Sequence, residues 1–316
     1  MTNNHSNTFI YTFVHHIDEF DICRMEMRAF FGFDTKANYL LSNIRIDPSR
    51  SPFIQDRLEI LFEGSSIPDI IQFAKTFVLE STTYKVICLN KIDIGETKKI
   101  HHPERRQLER EIGLVIEGEP DLDQPDVIFG LMLLNGRWYF GKYEKSESVW
   151  RKHIHKPNSY STALNTRIAR AVANIAVPNP SNKRAIDPLC GIGTVLIEAL
   201  SMGINIVGRD INPLVCVGSR ENIAHFGYHT IVTKGPISEV SDSYDAAIID
   251  LPYNLATHIS HDEQYDIIQH ARRIAKRVVV VTIETIDDMV HEAGFTIVDR
   301  CEAKKHLFVR QILLCE

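Results

Sequence analysis

Asp187-Pro188-Leu189-Cys190-Gly191-Ile192-Gly193-Thr194 is the stretch that decides the fold of this chain. It follows Ala185-Ile186, a predicted strand, and opens a predicted helix over Thr194 to Met202. Two glycines let the backbone turn sharply and approach a ligand closely. The helix N-terminus adds free N–H groups and a partial positive charge for a carboxylate or phosphate. Taken alone, such a loop is just as well a tight strand-to-helix turn. The next strand shifts that balance, because it ends in Gly208-Arg209-Asp210. An acid there accepts hydrogen bonds from both hydroxyls of a ribose. Asn212, directly before Pro213, is the better helix cap, which leaves Asp210 for a ligand. Dinucleotide sites continue to a third glycine, whereas Gly193 is followed by Thr194, Val195 and Leu196. The loop therefore suits a cofactor with an amino-acid carboxylate, rather than a pyrophosphate, near the helix.

A second strand end complements the first. Ala246 to Ile249 reads as a buried parallel strand and runs into Asp250-Leu251-Pro252-Tyr253. A carboxylate, a kinked backbone and an aromatic ring thus emerge where open α/β sheets place their ligands. An exocyclic amine on a base is a poor nucleophile, its lone pair being delocalised into the ring. The Asp250 carboxylate and the Leu251 carbonyl are placed to accept its two N–H bonds and orient that lone pair. Tyr253 suits stacking on a base taken out of its own stack. Together the two ends point to methyl transfer from S-adenosylmethionine to an amino group on a base.

Outward from these motifs the chain divides near residue 150. Beyond it, predicted strands and helices alternate: Asn205–Gly208, a helix from Pro213 to Phe226, Thr230–Thr233, Tyr244–Ile249, a helix over Glu263–Ala275, Arg277–Ile283 and a helix over Ile286–Ala293. Phe295–Arg300 and His306–Leu314 are read as a closing antiparallel pair. Such alternation predicts a doubly wound, mostly parallel sheet. A helix with Leu164, Ile168, Val172 and Ile175 on one side precedes it, capped by Ser161-Thr162. Residues 144–160 are polar and basic and read as a linker. The first half mixes elements as α+β proteins do. Strands are expected over Phe9–Val14, Tyr39–Ile46, Arg57–Phe62 and Tyr84–Leu89, and helices over Glu19–Phe31, Ile67–Val78 and Pro103–Ile116. Asn135-Gly136 marks a two-residue hairpin between Val127–Leu134 and Arg137–Tyr143.

With 316 residues, 44% hydrophobic and 24% charged, the chain is an ordinary globular protein with room for two or three domains. It has no apolar run long enough to span a membrane, and its first residues lack the features of a signal peptide. Cys23, Cys88, Cys190, Cys216, Cys301 and Cys315 show no zinc spacing and are read as reduced thiols of a cytosolic protein. Cys190, with no basic neighbour, is read as packing. His258, His261 and His270 have no metal-ligand partners at useful spacing. The net charge of −6 argues against indiscriminate nucleic-acid binding, yet basic residues cluster. One group holds Lys98, Lys99, Arg105, Arg106 and Arg110, a second Arg151, Lys152 and Lys156, and a third Lys304, Lys305 and Arg310. Any one is a solvated face; three on an acidic chain suggest a polyanionic partner.

These residues carry a resemblance. Lys156-Pro157, Leu164-Asn165-Thr166-Arg167-Ile168-Ala169-Arg170 and Asn174-Ile175-Ala176, ahead of the two motifs, resemble tRNA guanosine-N2 methyltransferases that carry a THUMP domain. Glu111-Ile112-Gly113, Asp121-Leu122-Asp123 and Pro125-Asp126-Val127 with the hairpin are similar to the end of a THUMP module. The resemblance implies a Rossmann-like α/β methyltransferase domain over 163–316, a linker over 148–162, an α+β THUMP-like RNA-binding domain over 61–147 and a ferredoxin-like extension over 1–60. It implies S-adenosylmethionine as cofactor, held by Asp187, Leu189, Gly191, Gly193, Thr194, Asp210 and Ile211, with no metal. Asp250, Leu251, Pro252 and Tyr253 would hold the guanine, and Lys98, Lys99, Arg105, Arg106, Arg151, Lys152 and Lys156 would grip the acceptor end of tRNA in the cytoplasm. Two positions depart from the pattern. Leu251 replaces the usual first proline, keeping the carbonyl but losing a fixed φ. The stretch Lys234-Gly235-Pro236-Ile237-Ser238 lacks the acid that reads the adenine amine, and Glu239 and Asp242 are the nearest substitutes. The alternatives are a DNA amino-methyltransferase and a non-catalytic RNA-binding protein on the same scaffold.

Overall fold

Phe9, Ile10, Tyr11 and Phe13 are all buried, so the chain's first described strand has apolar neighbours on both faces. The computed structural model describes residues 8–89, 100–159, 163–252, 259–305 and 308–316. They fall into two compact units. One comprises residues 1–14, 35–49 and 53–147, the other residues 15–34, 50–52 and 148–316. The second thus includes helix α1 (Phe20–Phe31), which was expected with the N-terminal extension. Its Ile22, Met25, Met27 and Phe30 are buried, and Arg28 donates to both oxygens of Asp299 at 2.8 and 2.9 Å. Glu26 is also buried and accepts from Asn174 Nδ2 at 2.7 Å.

In the first unit, β1 (Phe9–Phe13), β2 (Tyr39–Ser42), β3 (Ile54–Gly64), β4 (Val78–Cys88), β5 (Glu117–Pro120), β6 (Val127–Leu134) and β7 (Arg137–Lys145) form one sheet of order β2-β1-β3-β7-β6-β4-β5. Residues 1–60 are therefore not a body apart, because β3 pairs with β7 from Asp56↔Lys145 to Gly64↔Trp138. The Asn135-Gly136 turn takes positive φ at both residues, as a tight hairpin requires. Helices α2 (Ile67–Ala74) and α3 (His102–Gly113) pack on a core containing Phe129 and Phe140, whose rings stack at 5.3 Å. Helix α2 ends four residues before the expected Val78, where the Thr- and Val-bearing β4 takes over.

In the second unit, α4 (Thr166–Ala176) starts at Asn165, whose side chain accepts from the Ile168 N–H at 2.8 Å. The expected caps Ser161 and Thr162 lie outside the described residues. Then follow β8 (Arg184–Asp187), α5 (Thr194–Ser201), β9 (Asn205–Asp210), α6 (Pro213–His225), β10 (Val232–Lys234), β11 (Tyr244–Asp250), α7 (His261–Ile274), β12 (Ala275–Thr282), α8 (Asp287–Glu292), β13 (Ile297–Lys305) and β14 (Phe308–Cys315). Their order is β10-β9-β8-β11-β12-β14-β13. The first five are parallel and β14 is antiparallel to both neighbours, as the alternation predicts. Val278 to Val281 are fully buried, and each valine contributes on the order of 1.5–3 kcal/mol. The chain leaves β8 toward β9 on one side and reaches β11 on the other, so the switch point lies between the C-terminal ends of β8 and β11. The described part of the expected linker, residues 148–159, is not free of the second unit, since His153 is 2% exposed and its Nδ1 meets Glu198 Oε1 at 2.8 Å. Among the described residues no helix is long and apolar enough to cross a membrane.

Candidate active site

Three neighbouring parallel strands end in an acid: Asp187 on β8, Asp210 on β9 and Asp250 on β11. Burial holds the Asp187 carboxyl well above the usual carboxylate range, and the negative charges of Asp250 and Asp210 push it further. It accepts the Leu189 N–H at 3.2 Å, which works the other way. Asp210 accepts the Gly191 N–H at 3.0 Å and the Asn212 N–H at 2.9 Å. It thereby pins the glycine loop to β9, while its remaining lone pairs stay available to ribose hydroxyls. Asn212 caps α6, accepting from the Leu214 N–H at 3.0 Å.

The loop is closed tightly. Gly193 takes φ +80° as it enters α5, and a Cβ there would lie 2.5 Å from Ser219 Oγ. At Gly208 a Cβ would lie 2.5 Å from Leu196 Cδ1 and 3.1 Å from Cys190 Sγ. Both positions admit no side chain, and only glycine is at ease with the first. Burial pushes the Cys190 thiol upward, which fits packing and not nucleophilic attack. Sequence reading missed Asn222, which is fully buried. Its amide donates to Ile192 O at 3.0 Å and to Asn158 O at 2.9 Å, and its oxygen accepts the Asn158 N–H at 2.8 Å. It clamps the loop from behind; its i, i+3 spacing from Ser219 on a helix following the motif was the available signal.

At the second strand end, burial raises Asp250 to about 7, against the opposing positive charge of Arg310. Its Oδ1 is buried with no hydrogen-bond partner among the described residues, as is the Thr194 hydroxyl at the start of α5. These orphaned polar atoms, with the free N–H groups of the α5 N-terminus, fit a polar ligand. Leu251 is 1% exposed, and its N–H donates to Val281 O at 2.9 Å. Proline has no such donor, so the departure at this position exchanges a fixed φ for one more rung of the β11–β12 ladder. Pro252 follows at partial exposure, and Tyr253 lies outside the described residues. Ile211 is 70% exposed beside Asp210, an apolar side chain free to cover a ring, and Leu189 packs on the core of β11 and β12. Of the two nearest acids, Glu239 pairs with Arg209 and Asp242 with Arg184.

The described basic residues fall in both units. Lys98 and Lys99 lie outside the described residues. Arg105 and Arg106 sit on α3 of the first unit, where Arg106 donates to Glu109 at 3.1 Å. Arg151 and Lys152 are exposed in the second unit. Lys156 is half-buried, donates to His153 O at 3.2 Å and is lowered by burial, so its ammonium is only partly presented. Among the described residues no group of three or more potential ligands is placed to hold a metal ion.

Comparison with known proteins agrees with this geometry. Residues 154–290 match the UPF0020 family model, described as RMKL-like, methyltransferase domain. The chain is 29% identical over 164 residues to a tRNA (guanine(10)-N2)-dimethyltransferase of Methanothermobacter thermautotrophicus, covering 48% of each. It is 25% identical over 249 residues to the Methanocaldococcus jannaschii protein of the same name, covering 66% of this chain and 69% of that one. It is 26% identical to a tRNA (guanine(6)-N2)-methyltransferase of Archaeoglobus fulgidus, covering 44% and 42%. The chain spans about half the length of the first two curated relatives it matches. Among solved structures, TrmN from Thermus thermophilus aligns over 98% of this chain and 99% of that one at TM-score 0.48 and 15% identity. The fold rests on the strand order itself rather than on that likeness. Over residues 154–290 the second unit is thus similar to methyltransferase domains of the UPF0020, RMKL-like kind, and parts of the chain are similar to tRNA guanine-N2 methyltransferases.

Proposed function

We propose that this chain methylates the exocyclic N2 amine of a guanosine in tRNA, with S-adenosylmethionine as methyl donor. The observation that carries the reading is the buried Oδ1 of Asp250, without a hydrogen-bond partner among the described residues, at the switch point beside the glycine loop and Asp210. The names of the relatives support the substrate class. In this reading Asp210 holds the ribose, Ile211 covers the adenine, and the α5 N-terminus with Thr194 receives the amino-acid carboxylate. When bound there, the cofactor would supply an electrophilic methyl group on its sulfonium and would leave as the neutral thioether. Asp250, ionised, accepts one N–H of the amine and the Leu251 carbonyl the other, which turns the nitrogen lone pair toward the methyl. As positive charge develops on nitrogen, the carboxylate stabilises it and is placed to take the departing proton. With a value near 7, it is poised for that exchange at neutral pH. Tyr253 stacks on the base.

Residues 61–147 form the THUMP-like RNA-binding part in this reading, gripping the acceptor end of tRNA through Lys98, Lys99, Arg105 and Arg106, with Arg151, Lys152 and Lys156 on the catalytic side. A tRNA substrate supports a cytoplasmic location. Nucleoside mass spectrometry of tRNA from a strain lacking the protein tests the whole. One N2-methylated guanosine disappears and returns on complementation. An unchanged nucleoside profile, with methylation of duplex DNA in vitro, overturns the RNA assignment.

A further inference from the structure

Arg310 belongs, in sequence, to a basic group with Lys304 and Lys305. Folded, it is only 5% exposed, which suits no phosphate on the surface. Its position follows from register. Asp250 pairs with Val281, Val281 with Ile312, and Thr282 with Gln311. Because β14 runs antiparallel, Arg310 is the next residue beyond Gln311, toward the edge where the parallel strands end. Alternation decides its face. Leu313 and Cys315 share a cluster with Ala247, Ile249 and Leu251, so Arg310 and Asp250 both lie on the opposite face. Two strand spacings of about 4.8 Å and a rise of roughly 7 Å separate their backbones, a gap that two side chains largely close. Accordingly, the charge of Arg310 acts on the Asp250 carboxyl.

The edge of the site thus presents an acceptor, Asp250, beside a donor, Arg310. Guanine offers the complement, a 2-amino donor and an O6 acceptor, whereas adenine has an amino donor in place of O6. We propose that Arg310 reads the base, its guanidinium donating to guanine O6 while Asp250 accepts from the 2-amino group. Adenine would set donor against donor, a repulsive element that rejects it. This inference rests on the guanine-N2 reading of the site.

The test compares wild type, Arg310→Met and Arg310→Lys on tRNA carrying guanosine or 2-aminopurine at the position the wild type methylates. 2-Aminopurine keeps the amine but lacks O6 and the N1 proton. Wild-type kcat/KM falls roughly 10- to 100-fold on the analogue. Arg310→Met loses a similar factor on guanosine and matches wild type on 2-aminopurine, while Arg310→Lys recovers part of the guanosine activity. Equal fractional losses on both bases overturn the inference, since a residue that only sets the charge of Asp250 is indifferent to O6. Circular dichroism and calorimetric binding of S-adenosylmethionine certify each variant, and Arg310→Lys carries the comparison should the methionine variant not fold. Identification of the wild-type product separates the two readings: without N2-methylguanosine the guanine-N2 reading itself fails, whatever Arg310 does.

Discussion

Asp56 and Asp250 each occupy a strand of a seven-stranded sheet, one in each unit, and the two carboxylates are treated in opposite ways. Asp56 is 3% exposed and accepts from Thr12 Oγ1 at 2.6 Å and from the Tyr143 hydroxyl at 2.6 Å. Burial and the adjacent Asp56 push the Tyr143 hydroxyl upward, so it stays protonated and keeps donating. Asp250 has a buried oxygen with no such donor among the described residues, and burial raises its carboxyl to about 7. A fully bonded carboxylate holds a sheet together; one left short of donors costs stability and awaits a ligand that completes it.

The contrast can be broken first at Asp250. Asp250→Ala lowers the methyl-transfer rate by about 10²- to 10³-fold and leaves cofactor affinity within a few-fold, measured by turnover and calorimetry. Undiminished turnover would end the assignment. In the first unit, Asp56→Ala strands two hydroxyls and destabilises by about 2–4 kcal/mol in denaturant titration, with cofactor affinity unchanged. A stable Asp56→Ala protein would erase the distinction between the two sites.

Acidity sharpens the comparison further. The folded state holds the Asp250 proton up to about 7, whereas the unfolded chain releases it near the ordinary value of 3.8. Folded protein therefore binds the extra proton between these values, and this group's contribution to stability falls as pH rises through that window. Asp250→Asn, which cannot ionise, should gain on wild type by up to about 4 kcal/mol at pH 8 and by less than about 1 kcal/mol at pH 4. Methyl transfer by the wild type rises with pH through about 7 as the carboxylate ionises. Denaturation at the two pH values, and a pH–rate profile of kcat/KM, check the two signs. The smallest effect belongs to Leu251→Pro. It deletes the hydrogen bond to Val281 O and part of a buried side chain while restraining φ, for a net loss of about 1 kcal/mol by thermal denaturation.

Much of the second unit was legible because its signals are local. The glycine loop, the acid ending β9, the Asn212 cap and the valine-rich β12 each announce themselves within a few residues. What stayed hidden depended on distant partners. The apolar stripe of α1 states that the helix is buried but not which sheet receives it, and that choice is expressed through Asp299, far along the chain. β5, Glu117-Gly118-Glu119-Pro120, is exposed throughout and has no apolar alternation to betray it. Arg310 reads as one more surface cation until Ile312 and Leu314, both buried, show by alternation that its side of β14 faces inward. The linker reading failed at His153, because a basic neighbourhood hid a side chain matched to Glu198.

The leucine at 251 has one more consequence. A proline there carries no amide proton, but here one exists, bonded to Val281 O at the reacting edge of β11. Its exchange with deuterium is a clock for how often that edge parts from β12, readable residue by residue and without any substrate. A chain with proline at this place has no such proton to time.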